Sequence, residues 1–314
     1  MCPESNGVSG ISWLGNPIDA RALFGQELRS LLDTLRGLTP SDWSRTAAGR
    51  WTVHDVAAHL LGDYYGRLGH GYRNGFADGE TLEAFIHRTN QEWVELHADD
   101  SPASLIDALA AAGIQLAQRF ATANLDTPAL GVSWAGADPA SAWLDIAREF
   151  TEHWTHRQQI RHAIGRDTDP EPRALAMVLD TFMRALPHTL RRTSAPIGAQ
   201  VQVIAEGPAG GGWTATATAD RWSLSEAPSG RPTAVVLLDT ETVWRLSTRN
   251  IDPADALSRA HVQGDRRLAE AACQIVSIST DPTLASPAST VPDTNSASDG
   301  HRHHAFNFSS QRTS

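Results

Sequence analysis

Two side chains that could bind a metal ion, Glu152 and His156, lie one helical turn apart in the segment REFTEHWTHRQQIRHAIG, residues 148–165. The chain has no Gly or Pro between Ala140 and Ile164, which predicts one continuous helix. At 3.6 residues per turn, the two side chains point within about 40° of each other. A carboxylate and an imidazole so placed could share a divalent cation or form a surface pair, and spacing alone favours neither.

A third metal-binding side chain, His59, lies in a second predicted helix within GRWTVHDVAAHLLGDYYGRLGHGY. Thr52 is the expected N-cap of this helix, with Asp55 three residues on, as in a capping box. His59 lies at the edge of the apolar face, with Asp55 and Asp63 one turn to either side. His54 points about 140° away from His59, so these two histidines are not expected to share an ion.

The first of these helices also carries apolar residues on the side opposite Glu152, namely Trp143, Ala147, Phe150 and Trp154, while Leu144, Ile160 and Ala163 flank Glu152. Apolar residues on both sides predict a helix that packs against more than one neighbour. We therefore expect this helix at the centre of its domain.

The remaining patterns predict helices first and strands later. Further helices are expected over 18–37, 80–97, 101–124 and 172–192, which favours a helical bundle. Beyond Ser194, short β-branched runs separated by Gly and Pro clusters, followed by two helical patterns, indicate a small α+β domain. The predicted divisions are a flexible N-terminus (1–15), a helical domain (16–193), an α+β domain (194–280) and a disordered Pro/Ser/Thr-rich tail (281–314). His-rich residues 301–304 in that tail could at most bind a metal loosely.

Composition excludes several classes of protein. The net charge of −10 argues against a broad nucleic-acid surface. No apolar run is long enough to cross a bilayer, and the N-terminus lacks a basic segment followed by an apolar one, so we expect a cytoplasmic protein that does not bind membranes. The two cysteines, Cys2 and Cys273, are interpreted as free thiols rather than a disulfide or a nucleophile.

The ordered combination of WTVHDVAAHL, REFTEHWTHRQQIRHAIG and a later region with VWRL and VQGDRRLA resembles the mycothiol-dependent maleylpyruvate isomerase family of the DinB-like superfamily. The resemblance covers residues 18 to about 279. It implies a mainly α protein, with a DinB-like four-helix bundle followed by a small α+β domain like sterol carrier proteins.

The resemblance also implies the metal ligands: His59 from one helix, with Glu152 and His156 from another. The helix of Glu152 and His156 contains two rival pairs, Glu149 with His153 and His153 with His156. Neither pair matches the family positions. One departure is Gln159, because relatives often carry an acidic residue there, and an amide orients a ligand less strongly.

Two imidazoles and one carboxylate leave coordination positions open, as in a catalytic zinc site, although Ni, Fe, Co or Mn would also suit these ligands. Such an ion can hold a thiol as its thiolate at neutral pH. The resemblance implies that the thiol is mycothiol and that it acts on a small electrophile, by cis–trans isomerisation or by S-transfer. Arg245, Arg259 and Arg266 of the second domain are candidates for binding a substrate carboxylate.

Two other functions fit the same residues. A non-catalytic metal-binding or stress-response bundle would need no co-substrate pocket between the two domains, and a metal-dependent hydrolase would need no thiol. The sequence leaves the oligomeric state open.

Overall fold

The structure is a computed structural model that describes residues 11–69, 77–80, 82–225 and 227–277 of the chain. The first part is helical: α1 Phe24–Arg36, α2 Val53–Leu68, α3 Leu82–Leu96, α4 Pro102–Ala121, α5 Ala142–Ala163, α6 Pro172–Met183 and α7 Leu186–Leu190. Two short hairpins precede α2 and α5; they pair β1 Thr46–Ala48 with β2 Trp51–Thr52, and β3 Pro128–Ala129 with β4 Ala140–Ser141. The prediction of a mainly α protein with a separate β region is confirmed.

Four helices, α1, α2, α4 and α5, pack around one another, and α2 and α5 carry His59, Glu152 and His156. α1 contacts α4 and α5, and α2 contacts the same two helices, while α3 lies against α2. α2 begins at the predicted N-cap: the Thr52 side chain accepts a hydrogen bond from the Asp55 N–H, and the Asp55 carboxylate accepts one from the Thr52 N–H. This capping box fixes where the turns of α2 start, and therefore which way His59 points.

Helix α5 is buried along most of its length. Both apolar and polar side chains are enclosed, from Asp145 and Glu149 to Gln158 and Gln159. The helix contacts α1, α2 and α6, which accounts for the apolar stripes on two of its sides. The central position predicted for this helix agrees with the packing.

The second part contains a five-stranded sheet. Its strands are β5 Gln200–Glu206, β6 Gly211–Ala217, β7 Trp222–Ser225, β8 Ala234–Asp239 and β9 His261–Gly264, in the order β7-β6-β5-β8-β9. β5 and β8 are parallel, and the other neighbours are antiparallel. The helices of this part are α8 Thr240–Ser247, α9 Pro253–Arg259 and α10 Arg266–Ala272. Sequence reasoning missed α9, and did not identify HVQG as a strand.

The helical and sheet parts share buried contacts. The indole rings of Trp154 on α5 and Trp244 on α8 meet edge to face at 5.4 Å, and both residues are fully buried. The Trp213 Nε1–H of β6 donates a hydrogen bond of 2.7 Å to the Asp180 carboxylate of α6. The sheet part thus packs on α6 and on the Trp154 side of α5.

Two sequence expectations need correction. The helix expected over 172–192 is divided into α6 and α7, because Pro187 has no N–H to bond the carbonyl of Met183. In the N-terminal segment expected to be flexible, residues 1–10 lie outside the described residues, but Ser12–Leu14 form a 3-10 turn. Leu14 is fully buried in an apolar cluster with Val132, Trp143 and Leu144, which holds this turn in place. The predicted tail, 281–314, also lies outside the described residues.

Candidate metal centre

The facing sides of α2 and α5 bring together the three predicted metal ligands. The rings of His59 and His156 lie 4.8 Å apart at an angle of 80°. Further along the same two helices, Arg67 of α2 contacts Asp145 and Glu149 of α5. As residue numbers rise along α2 they fall along α5, so the two helices run antiparallel.

The donor atoms of His59, Glu152 and His156 converge on one point. One potential ligand atom from each residue lies within 4.8 Å of the other two. Both histidines are buried, with residue exposures of 6% and 2%, whereas the Glu152 side chain is 19% exposed. Two imidazole nitrogens and a carboxylate oxygen form a donor set that suits a divalent transition metal, and the exposed side of Glu152 leaves access for a further ligand.

The amide of Gln159 fixes the orientation of His156. Its Oε1 atom lies 2.8 Å from His156 Nδ1. An amide oxygen can only accept, so Nδ1 carries the proton and Nε2 presents a lone pair. That Nε2 atom is 3.5 Å from Glu152 Oε2, on the side where the donor atoms converge. Gln159 therefore takes the position expected of a group that orients a metal-binding histidine.

The charge around His156 favours its protonated form when no ion competes. Burial, the largest single influence, lowers the pKa of His156, but the hydrogen bond and charge of Glu152, the charge of Asp63 and the hydrogen bond to Gln159 outweigh it. The pKa of His156 therefore lies above its ordinary value. A concentration of negative charge that stabilises an imidazolium will also stabilise a bound cation.

His59 is held from two sides. Its ring packs against the indole of Trp51, with ring centres 4.9 Å apart, and its Nε2 atom lies 3.3 Å from Asp63 Oδ2. The Trp51 Nε1–H donates in turn to the Gln91 side-chain oxygen at 3.1 Å. Sequence reasoning overlooked Trp51, although its position directly before the N-cap of α2 places it close to the first turns of that helix.

The rival pair of Glu149 and His153 has different partners. Glu149 Oε2 accepts a hydrogen bond from Arg67 Nε at 2.8 Å, and its Oε1 is 3.5 Å from His153 Nε2. The His153 ring is enclosed by those of Phe24 and Tyr64. Burial raises the pKa of Glu149, but the charges of Arg67 and His153 and their hydrogen bonds lower it further, so Glu149 stays ionised. Within the described residues, neither Glu149 nor His153 belongs to the converging group. The pair of His153 with His156 is therefore not part of this group either.

Arg67 is a second residue that sequence reasoning missed. Its guanidinium forms two hydrogen bonds with Asp145, of 2.6 and 2.8 Å, besides those with Glu149. Its side chain is only 14% exposed. The signal was present in the sequence, since Arg67 follows His59 by two helical turns on the same face of α2.

Other predicted residues lie elsewhere. His54 Nε2 is 2.8 Å from the Asp100 carbonyl, away from His59 as its position around α2 predicts. Cys273 is buried, which raises the pKa of its thiol to about 11, so its thiolate is scarce at neutral pH. Cys2 lies outside the described residues.

The three candidate arginines are not brought to the converging group. Arg245 pairs with Glu241 at 2.6 Å on α8, the helix whose Trp244 packs on Trp154. Trp154 points about 160° away from both Glu152 and His156 around α5, so α8 covers the opposite face of the helix. Arg259 is exposed at the end of α9, and Arg266 pairs with Glu270 at 2.9 Å on the surface.

A cleft does lie between the helical and sheet parts, but on the α6 side. It encloses about 490 Å³ and is lined by Asp19, Ala22, Leu23, Arg173, Ala176, Met177, Asp180, Ala209, Gly210 and Trp213. None of the three predicted metal ligands lines this cleft. This cleft is therefore not a co-substrate pocket at the three predicted ligands.

Comparisons with known proteins bear on the helical part. Two crystal structures, of the mycothiol-dependent maleylpyruvate isomerase and of a point mutant of it, share 13% and 14% sequence identity with this chain. Each alignment covers 72% of this chain and 86% of the other, with TM-scores of 0.41 and 0.44, which do not by themselves establish a common fold. A search of curated proteins found no match.

In the part of the chain that the structure describes, no helix is both long and apolar enough to span a membrane. Residues 24–161, which include α1 to α5 up to the last turn and all three converging side chains, match the family model of the mycothiol maleylpyruvate isomerase N-terminal domain. The helical region of this chain is therefore similar to the mycothiol maleylpyruvate isomerase N-terminal domain.

Proposed function

We propose that this protein is a metal-dependent enzyme that uses a low-molecular-weight thiol, mycothiol. Its substrate is a small electrophile that bears a carboxylate, and the enzyme either isomerises this substrate or transfers the thiol sulfur to it. The observation that carries the proposal is the convergence of His59, Glu152 and His156 from two helices within 4.8 Å. We further infer that the helical part is a DinB-like bundle and that the sheet part is similar to sterol carrier proteins. The match of residues 24–161 to the mycothiol maleylpyruvate isomerase N-terminal domain supports the inference about the helical part.

Each residue around the proposed centre has a definite task. His59, Glu152 and His156 would hold a divalent ion, with zinc as the first choice, and Gln159 keeps the lone pair of His156 Nε2 directed at it. When bound, the ion would lower the pKa of a thiol and stabilise its thiolate. The Trp51 ring covers one side of His59 and limits the approach of water from that side.

The thiolate accounts for both reactions. Its sulfur adds to one carbon of an activated cis double bond, forming a C–S bond and moving the π electron pair to the conjugated carbonyl. Rotation about the resulting single bond and elimination of the same thiolate then give the trans isomer, with no net consumption of thiol. In S-transfer, the sulfur instead displaces a leaving group, which departs with the electron pair of its bond.

We propose that the nucleophile comes from outside the chain, because Cys273 is the one cysteine among the described residues. Cys273 is buried and its pKa is raised to about 11, so it cannot supply a thiolate at neutral pH. The approach on the Glu152 side, where the side chain is 19% exposed, is the route we propose for the thiol. This places the thiol away from the cleft between α6 and β6.

The proposal is tested with purified protein loaded with Co(II). Addition of mycothiol should produce a sulfur-to-metal charge-transfer band, and isomerase or transferase turnover should saturate with thiol concentration. Cys2→Ser and Cys273→Ser together should leave the band in place, whereas His156→Ala should abolish tight ion binding. A Co(II) spectrum that does not respond to mycothiol would refute the thiol mechanism and favour the hydrolase or the non-catalytic metal-binding protein.

A further inference from the structure

We propose that Arg148 binds the carboxylate of the substrate at the entrance to the metal centre, and so selects small electrophiles that carry this group. The inference rests on the proposed function, and deepens it by assigning recognition of the substrate carboxylate to the helical part. Arg148 takes the place of Arg245, Arg259 and Arg266, which lie away from the three converging side chains.

In the central part of α5, solvent reaches the helix at one place. Between Ser141 and Ile160, Arg148 and Glu152 are the only two residues that are not buried. They lie one helical turn apart and point within about 40° of each other. A molecule that approaches the converging group past the exposed side of Glu152 therefore also passes Arg148.

The Arg148 guanidinium has hydrogen-bond donors to spare. Its Nη2 atom donates to Asp145 Oδ1 at 3.0 Å and lies 3.4 Å from Glu149 Oε2. In the part of the chain that the structure describes, no group accepts a hydrogen bond from Nε or Nη1 of Arg148. A carboxylate, which only accepts hydrogen bonds, is the matching partner for these unused N–H groups.

Arg67 holds the two buried carboxylates more closely than Arg148 does. Its guanidinium lies 2.6 Å from Asp145 and 2.7 Å from Glu149. The corresponding distances from Arg148 are 3.0 and 3.4 Å, and the Arg148 side chain is 21% exposed. Arg148 can therefore turn towards a ligand while Arg67 keeps both carboxylates paired.

The spacing of Arg148 and Glu152 suits a small substrate. One helical turn separates them by about 5.4 Å along α5. A substrate with a carboxylate at one end would bind Arg148 through that end, and would present its double bond on the Glu152 side, where we propose that the thiol enters. Arg148 binds and orients the substrate in this scheme and takes no part in making or breaking bonds.

The test measures the binding of maleate, a small cis dicarboxylate, by titration calorimetry. Arg148→Met should weaken maleate binding to the Zn(II)-loaded protein about 10–100-fold, as expected for the loss of hydrogen bonds to a charged group. Arg148→Lys keeps the charge but not the planar guanidinium, and should bind with intermediate affinity. The control is Arg119→Met, which removes the same charge from an exposed position on α4 and should leave maleate binding unchanged.

Two further readings separate this role from a structural one. The difference between Arg148→Met and the unsubstituted protein should persist without an ion, because the guanidinium needs none to bind an anion. The dimethyl ester of maleate has no carboxylate, so its weak binding should not depend on Arg148. Thermal unfolding and the affinity for Zn(II), which should not fall in Arg148→Met, check that the variant is folded.

A second experiment needs no variant. Phenylglyoxal modifies accessible guanidinium groups, and maleate should protect Arg148, but not Arg119, from this reagent in the unsubstituted protein, as read from peptide masses. Labelling of Arg148 that maleate does not change would overturn the inference. Equal maleate affinity in a folded Arg148→Met, or no binding of maleate by the unsubstituted protein, would also overturn it.

Failure of this inference can be told apart from failure of the proposed function. A Co(II) spectrum that does not respond to mycothiol refutes the thiol mechanism, whereas binding of maleate that depends on Arg148 would still support an anion site at this entrance. A spectrum that responds to mycothiol, with maleate binding that ignores Arg148, would leave the proposed function standing and overturn the role of Arg148.

Discussion

His156 Nδ1 and Gln159 Oε1 are 2.8 Å apart, and this single contact decides which nitrogen of His156 faces Glu152 and His59. Residue 159 is an amide in this chain. A carboxylate at the same position would bind the Nδ1 proton more strongly and would add negative charge. In the proposed centre, Gln159 would thus influence ion binding without being a ligand itself.

Replacing Gln159 should therefore change ion binding. Gln159→Leu removes the acceptor, and we expect Co(II) or Zn(II) affinity to fall about 10–100-fold, whereas Gln159→Glu should tighten binding because its carboxylate accepts more strongly. Competition titration with a chelator measures both effects, with Gln115→Leu on the exposed side of α4 as the control. Equal affinities for the Leu and Glu variants would show that the contact does not orient His156.

The raised pKa of His156 predicts opposite pH dependences for ion-free stability and for ion binding. The folded pKa lies above the unfolded value of 6.5, so the stabilisation is fully present below about pH 6.5 and is lost as the pH rises through the folded pKa. The ion needs the neutral ring, so its affinity should rise over the same interval.

Unfolding free energies of the ion-free protein and of its His156→Gln variant, measured across this interval, give the first dependence. The difference between the two proteins should shrink as the pH rises. Competition titrations at the same pH values give the second, and an ion affinity that fell with rising pH would contradict the role of His156 as a ligand.

Arg67 should be essential for stability. Arg67→Met leaves the buried carboxylates of Asp145 and Glu149 with Arg148 alone, which lies 3.0 Å from Asp145 and 3.4 Å from Glu149. The loss should approach the cost of breaking a buried pair, about 3–5 kcal/mol. Urea denaturation measures the loss. The control is Arg36→Met, because Arg36 is 55% exposed and lies 4.0 Å from Asp33, so its removal should cost little.

A triple variant that also carries Asp145→Asn and Glu149→Gln tests the cause of that loss, because it removes the two buried carboxylates, and the Arg148 side chain that then loses them is 21% exposed. Most of the stability should return. A triple variant as unstable as Arg67→Met would indicate that packing, rather than charge, makes Arg67 necessary.

Two tryptophans should separate stability from ion binding. Trp244→Ala empties a fully buried position on the face of α5 away from the metal ligands, and should cost about 3–5 kcal/mol without changing ion affinity. Trp51→Ala removes the ring that packs on His59, and should weaken ion binding while destabilising the protein less, since Trp51 is only partly buried. Calorimetry and chelator competition on both variants test this, and weaker ion binding in a folded Trp244→Ala protein would contradict the assignment of faces.

The helices were predictable because their signals are local. The Thr52–Asp55 capping box and the uninterrupted run of α5 act within a few residues, and both are present in the structure. The break between α6 and α7 was also local, since Pro187 marks it. The convergence of His59 with Glu152 and His156 joins two distant helices, and only the resemblance to a family predicted it.

The position of the sheet part was not predictable in the same way. The apolar stripe ending at Trp154 showed that something covers that side of α5, but not that α8 does so through Trp244. Arg245, Arg259 and Arg266 are candidates for binding a substrate carboxylate, but nothing in their own segments indicates which face of α5 they approach. The packing of Trp154 on Trp244 supplies that information.

The contact between Arg67 and the carboxylates of Asp145 and Glu149 also fixes the position of α2 along α5. Sliding α2 past α5 by one turn, about 5.4 Å, would take Arg67 away from these partners and bring like charges together. The spacing between the three proposed metal ligands is therefore set two turns away, by a salt bridge that needs no ion. A chelator could remove the ion from such a protein and leave the three side chains in place. Another divalent ion could then bind without any refolding of the protein.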